Sequence, residues 1–535
     1  MSATVHATGA ASEAVERIVP QLVSDGVAGG ITTQDPTLWG AAAEDESSKR
    51  LGWVEAAAVS AGLVDDILAL REDLHAKGVD HIVLGGMGGS SLAPEVITRT
   101  YGVPLTVLDS TDPRQVRSAL ADCLEKTAVV ISSKSGSTLE TDSQKRVYEA
   151  AFREAGIEPT ERIVIVTDPG SPLDQAARAD GYRVFNADPN VGGRYSAITA
   201  FGLVPSGLAG ADIRELLDEV QAASLELAID RESNPGLVLG AAIGGTKPLR
   251  DKVVIVADGT HIVGFGDWVE QLIAESTGKD GTGLLPVVVG LDAPELTSGA
   301  ADVQIVRLVA DAEATREVRE GEIEVSGSLG AQILTWEYAV AVAGRLLGIN
   351  PFDQPDVESA KAAARSLLDA TPAPEEPIFV DAAVQVRVKG DLSPAEQTVA
   401  AAVDALLATV PENGYLAVQA YLDRLAHSEL ESVRDALAAR SGRPVTFGWG
   451  PRFLHSTGQY HKGGAPVGVF LQIVADADSD GPDLQIPDRP FTFGQLIRAQ
   501  AAGDASVLAE HGRPVLTLTL SDVVAGIQQI RSAVA

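Results

Sequence analysis

HIVLGGMGGSSLAPE, residues 81–95, passes from a short apolar run through a glycine-rich turn into a segment that can open a helix. A strand, a tight glycine turn and a helix make the repeating unit of a parallel sheet. In such sheets ligands lie beyond the carboxyl ends of the strands, where backbone N–H groups and the helix dipole favour anions. The turn could hold the pyrophosphate of a nicotinamide dinucleotide, with Asp109 at the end of the next strand (LDSTDP, 108–113) taking the ribose hydroxyls. It could equally be an ordinary tight turn. Ser90 and Ser91 favour something smaller, because hydroxyls beside backbone amides suit a terminal phosphate.

Outward from this stretch the same grammar continues. The strands expected are 81–86, 105–110, 127–133, 162–168 and 182–187, with amphipathic helices such as 113–126 and 139–156 between them. A second series follows: DKVVIVADG (251–259), the helix 266–278, LLPVVVG (284–290), VQIVRLV (303–309) and a helical pattern over 328–347. Short apolar runs alternating with helices indicate parallel sheets covered on both faces. Residues 1–75 read as helical, and 61–78 carries apolar positions at helical spacing. The segment 369–377, DATPAPEEP, reads as a connector. Beyond it, IFVDAAVQVRV (378–388), the helix 395–410, and the runs at 414–422, 444–450, 466–474 and 514–520 form a third α/β region, with 475–490 a polar loop. The expected architecture is α/β throughout. It comprises an N-terminal helical segment (1–75), a doubly wound unit at 76–210, a second at 235–370 and a C-terminal α/β region at 378–535, with a boundary near 207–235.

A second loop narrows the chemistry. In TAVVISSKSGSTLET (127–141), Ser133, Lys134, Ser135, Ser137 and Thr138 crowd around Gly136 at the same strand-to-helix position. Hydroxyls gathered at a helix N-terminus suit a monoester phosphate of about −2 charge. A serine-rich capped turn is the plain alternative. With both loops in one sheet, a phosphosugar socket is the better reading.

The totals are those of an ordinary globular protein that can bury a sizeable core. The chain has 535 residues and a formal net charge of −33, which repels nucleic acid and anionic membranes. No run approaches the roughly 18 apolar residues that span a bilayer, and the N-terminus lacks the pattern of a secretory signal. Cys123 is the only cysteine, so neither an intrachain disulfide nor a multi-cysteine metal site is available. A single thiol fits a reducing cytoplasm. Neither metal nor cofactor is expected.

Further motifs are VGGRYSAITAFGL (191–203), WVEQLIAESTGKDGTGLLP (268–286), NPFDQPDVESAK (350–361) and HSTGQYHKGG (455–464). Together with the two loops, these resemble the sugar isomerase (SIS) fold and, within it, the glucose-6-phosphate isomerase family. The resemblance implies two doubly wound SIS-type units. It also implies a metal-free interconversion of D-glucose 6-phosphate and D-fructose 6-phosphate, carried out by a cytoplasmic homodimer with the sugar phosphate as its only small-molecule partner.

The resemblance also assigns roles. Glu275 matches the carboxylate that shuttles a proton between C2 and C1 through an enediolate, a task suited to a carboxyl whose pKa is raised by burial. Gln271, four residues earlier, shares its helical face. Arg194 matches the cation beside the enediolate, and Gly192 and Gly193 let the backbone approach the ligand. Lys361 matches the ring-opening lysine, with Gln354 two helical turns earlier and Pro355 in the first turn. His455 matches the ring-opening histidine, with His461 its local rival. Gly89, Ser90, Ser133, Lys134, Ser135 and Thr138 form the expected phosphate site. His6, His75, His81, His427 and His511 read as structural or surface groups, and His261 has no motif around it. Most of the family places its histidine motif between the glutamate and the lysine. Here the order is Glu275, Lys361, His455, which resembles the isomerase half of actinobacterial transaldolase–isomerase fusions. A phosphoglucose/phosphomannose isomerase, a phosphosugar-sensing module and a nicotinamide oxidoreductase are the alternatives that the sequence leaves open.

Overall fold

The computed structural model describes residues 2–312, 319–370, 375–477, 479 and 481–535. Its strands, in chain order, are β1 (Thr4–Ala7), β2 (His81–Gly86), β3 (Thr106–Leu108), β4 (Thr127–Ser132), β5 (Ile163–Thr167), β6 (Arg183–Asn186), β7 (Lys252–Asp258), β8 (Leu285–Val289), β9 (Val303–Val309) and β10 (Ile323–Ser326). They continue as β11 (Phe379–Asp381), β12 (Val384–Lys389), β13 (Tyr415–Tyr421), β14 (Val445–Trp449), β15 (Gly468–Ala475) and β16 (Val515–Leu520).

Three mostly parallel sheets result. The first has the order β3-β2-β4-β5-β6 and is parallel throughout. Its strand order reverses between β2 and β4, so the glycine turn and the serine loop leave neighbouring strands at the point where open sheets bind ligands. The second sheet runs β1-β10-β9-β7-β8, and the third runs β11-β12-β16-β15-β13-β14. Every residue of β4 is buried, as a strand covered on both faces requires.

Several local readings change. The N-terminal segment is not wholly helical: β1 pairs antiparallel with β10, from Thr4 opposite Ser326 to Ala7 opposite Ile323. A four-residue strand at a sheet edge leaves too short a pattern to stand out from its helical surroundings. The run 378–388 is a hairpin rather than one strand, with β11 and β12 pairing around Ala382, whose φ of 48° lies in the left-handed region. Helices Ala200–Ala209 and Ile213–Leu227 follow β6, the latter packed on helix Leu329–Leu347. That long helix is buried on every side from Leu329 to Gly344, which explains its lack of an amphipathic pattern. Residues 371–374 of the expected connector, and Asp478 and Asp480 of the loop 475–490, lie outside the described residues.

The hydrophobic cores join the sheets. Val129, Ile131 and Ile165 of the first sheet share a core with Ile486, Phe493 and Leu496. Val254 and Val287 of the second share one with Tyr415 and Phe470 of the third. Helix Phe493–Glu510 lies against helix Val357–Ala370, so the C-terminal region abuts both earlier sheets.

Candidate active site

A cleft of about 600 Å³ opens where the three sheets meet. Its wall contains Gly89, Ser90, Ser133, Lys134, Ser135, Thr138, Arg194, Gln271, Glu275, Gln354, Lys361 and His455, the residues expected to react with or bind the substrate. They come from both phosphate-type loops, the 193–195 turn, helix Phe265–Thr277, the segment 354–361 and the turn Arg452–His455.

The two loops are built differently. After β2 the chain makes a 3-10 turn, Gly88–Ser90, before helix Leu92–Tyr101 begins. Gly89 lies against the 193–195 turn so closely that an added Cβ would fall 1.9 Å from the Gly193 carbonyl oxygen. No residue but glycine fits there. After β4, Ser133 Oγ lies 3.0 Å from Thr138 Oγ1 and accepts the Gly136 N–H at 3.2 Å. Thr138 is the N-cap of helix Leu139–Glu154, and its side chain makes no cap bond, so its hydroxyl is not committed to the helix. Lys134 donates to Asp168 Oδ2 at 2.5 Å. Burial lowers the Lys134 pKa, and it raises that of Asp168.

Opposite this loop stands Glu275, on the last turns of helix Phe265–Thr277. Burial raises its pKa, against the opposing pull of Arg194. Arg194 is 3% exposed, and its Nη1 donates to Glu275 Oε2 at 3.3 Å and to Gln354 Oε1 at 2.9 Å. Its Nη2 donates to the carbonyls of Pro351 and Asp353. Gln271 Nε2 donates to Glu275 Oε2 at 3.5 Å and to the His455 carbonyl at 2.8 Å. Gln354 lies before helix Val357–Ala370, not in its first turns, so the two-turn spacing to Lys361 does not apply. The carbonyls around it are gathered instead by Arg194 and by Lys279, whose Nζ donates to Asn350 and Asp353. Burial brings the Lys279 pKa down to about 8.

His455 reaches the cleft within the same chain. Its Nε2 lies 3.0 Å from Glu140 Oε1, and Gln500 Nε2 donates to that oxygen at 2.8 Å. Burial alone would raise the Glu140 pKa, but the charge and hydrogen bond of His455, with Lys361 nearby, bring it below its ordinary value. Lys361 lines the same wall from helix Val357–Ala370. His461 points elsewhere: it is 2% exposed, stacks on Tyr415 and meets the Tyr415 hydroxyl at 3.1 Å. Burial lowers its pKa well below the usual imidazole range. His261 is exposed and outside the cleft, and His81 is held between Thr106 and Thr127.

Glu140, Gln500 and Lys279 were not singled out from the motifs. Glu140 sits within SGSTLET, where an acid in the first turn of a helix looks like ordinary dipole compensation. Asp109, the candidate ribose acid, is buried and paired with Arg452 at 2.6 Å, and is therefore committed to the protein. Among the described residues, no group of His, Cys, Asp and Glu could hold a metal ion, and no helix is long and apolar enough to cross a membrane.

Residues 72–223 match the family model of phosphoglucose isomerase. The chain is 27% identical over 361 residues to the probable glucose-6-phosphate isomerase of Haloarcula marismortui, covering 58% of this chain and 82% of that protein. It is 31% identical over 348 residues to the glucose-6-phosphate isomerase of Synechococcus sp. (strain JA-3-3Ab), covering 53% of this chain and 65% of that one. In fold it resembles the crystal structure of a hypothetical protein from Thermus thermophilus, with a TM-score of 0.57 at 23% identity over 68% of this chain and 100% of that chain. The glycine turn and the serine loop both lie inside the segment that matches the phosphoglucose isomerase model.

Proposed function

We propose that the chain interconverts D-glucose 6-phosphate and D-fructose 6-phosphate through an enediolate. One observation carries this reading: a buried carboxyl, a buried guanidinium, a histidine–carboxylate pair and a hydroxyl-rich anion loop line a single cleft. The substrate phosphate lies among Ser133, Ser135 and Thr138, with the 88–90 turn beside it.

The sugar arrives mostly as a closed ring. His455 and Lys361 exchange protons between the anomeric oxygen and the ring oxygen, which breaks the C–O bond and frees the carbonyl. Glu275, ionised, takes the proton from C2 of the aldose. Electrons move toward O1, giving the enediolate; the O2 proton passes to O1, and the carboxylic acid returns its proton to C1 to leave the ketose. Arg194 lies beside the carboxylate and balances the charge that develops on the oxygens. Its four hydrogen bonds hold it in place, so little reorganisation accompanies the step. Burial favours a carboxyl that can lose and regain a proton near neutral pH. The reading carries a cytoplasmic homodimer with it. The lone exposed thiol, Cys123, supports a reducing compartment, and sedimentation tests the dimer.

A coupled assay run without added metal is expected to detect fructose 6-phosphate conversion and to be unchanged by EDTA. Glu275→Gln is expected to lower kcat by about 10²–10⁴-fold with an unchanged circular dichroism spectrum. A variant that keeps its rate would remove Glu275 from this role. Turnover of mannose 6-phosphate distinguishes an enzyme that also accepts the C2 epimer.

A further inference from the structure

Three buried polar groups stand behind His455 in a row. Thr111, just after β3, has no exposed surface, and its Oγ1 donates to Gln500 Oε1 at 2.7 Å. Gln500, 5% exposed on helix Phe493–Glu510, donates through Nε2 to Glu140 Oε1. Glu140, 6% exposed, faces His455 Nε2 through the same oxygen. The amide orientation is determined by its neighbours, since a flipped amide would set Oε1 against a carboxylate oxygen.

We propose that Gln500 is a positioning residue for ring opening, which holds Glu140 as an acceptor so that His455 carries its proton on Nε2 and offers Nδ1 to the sugar. This rests on the isomerase reading above. A carboxylate oxygen that already accepts the Gln500 N–H can only accept from the imidazole, and this selects the Nε2–H tautomer. Nδ1 is then the nitrogen left to exchange a proton with the substrate. Gln500 comes from the third region, outside residues 72–223, so helix Phe493–Glu510 takes part in the site without touching the reacting atoms.

Ring opening can be separated from isomerisation by substrate choice. Fructose 6-phosphate closes its ring through O5. 5-Deoxyfructose 6-phosphate lacks that hydroxyl and stays open. Deuterium uptake from solvent at C1, followed by NMR, reads the proton transfer for both. In Gln500→Met, kcat/KM for fructose 6-phosphate is expected to fall about tenfold, the effect of one lost hydrogen bond, while that for the deoxy substrate is unchanged. Thr111→Val is expected to show the same selectivity with a smaller loss, and it serves as the test should Gln500→Met not fold. Glu275→Gln should stop exchange into both substrates. An equal fall for the two substrates, or no fall for either, overturns the positioning role. A wild-type protein that exchanges neither substrate overturns the isomerase reading instead.

Discussion

Gly89 shows how little freedom the site leaves to single residues. Its Cα faces the Gly193 carbonyl with no room for a methyl group, so the glycine turn and the arginine turn interlock. Gly89→Ala is expected to force these turns apart, raising the KM for the sugar phosphate at least several-fold. It should also lower unfolding free energy by about 1–3 kcal/mol, the usual cost of overpacking; urea titration and initial rates check both. Gly89 was legible in the sequence because glycine, serine and lysine cluster within a few positions of each strand end. Gln500 was not. Its partner Glu140 is 360 residues away, and a glutamine within FGQLIRAQAAGDASVLAE gives no local sign of a distant carboxylate.

The long helix Leu329–Leu347 carries a feature of another kind. Glu337, 1% exposed in its middle, has its pKa raised well above the usual carboxyl range by burial. Burial therefore favours its protonated form in the folded protein, whereas the unfolded chain ionises around the ordinary value of 4.5. Folding then takes up a proton, so stability is fully present below that ordinary value and declines as pH rises toward the folded one. Glu337→Gln removes this dependence. The melting temperature of the variant relative to wild type is expected to climb as the pH rises above the ordinary carboxyl range, and a difference independent of pH would contradict the raised pKa. At this scale the strands were largely readable: β2 and β9 match the expected runs residue for residue. The missed pieces, β1, β10 and the break between β11 and β12, are short features that tertiary pairing defines.

At the scale of the whole molecule, the cores ignore the order of the chain. Phe493 and Leu496 complete the packing of the first sheet, and Tyr415 and Phe470 that of the second. Regions that share cores in this way unfold together. A single urea transition is expected, with tryptophan fluorescence and activity coinciding; a separate early transition for the C-terminal region would show that the shared cores are weaker than their burial indicates. The alternation of strands and helices made the sheets legible, but which sheet meets which depends on contacts hundreds of residues apart. The unusual motif order is explained at this scale too. His455 needs only to reach one cleft wall, and the turn after β14 brings it there late in the chain.

The hydrogen bond between Glu140 and Gln500 spans most of the molecule's length, and this bears on its birth at the ribosome. At translation speeds of about 5–20 residues per second, the acid emerges roughly 20–70 seconds before the amide that orients it. Throughout that interval the nascent protein has its phosphate loops but an unfinished proton relay. Full turnover of the ring-closed sugar can therefore begin only after helix Phe493–Glu510 has left the exit tunnel and docked, and translation products truncated before it should turn over the closed sugar more slowly.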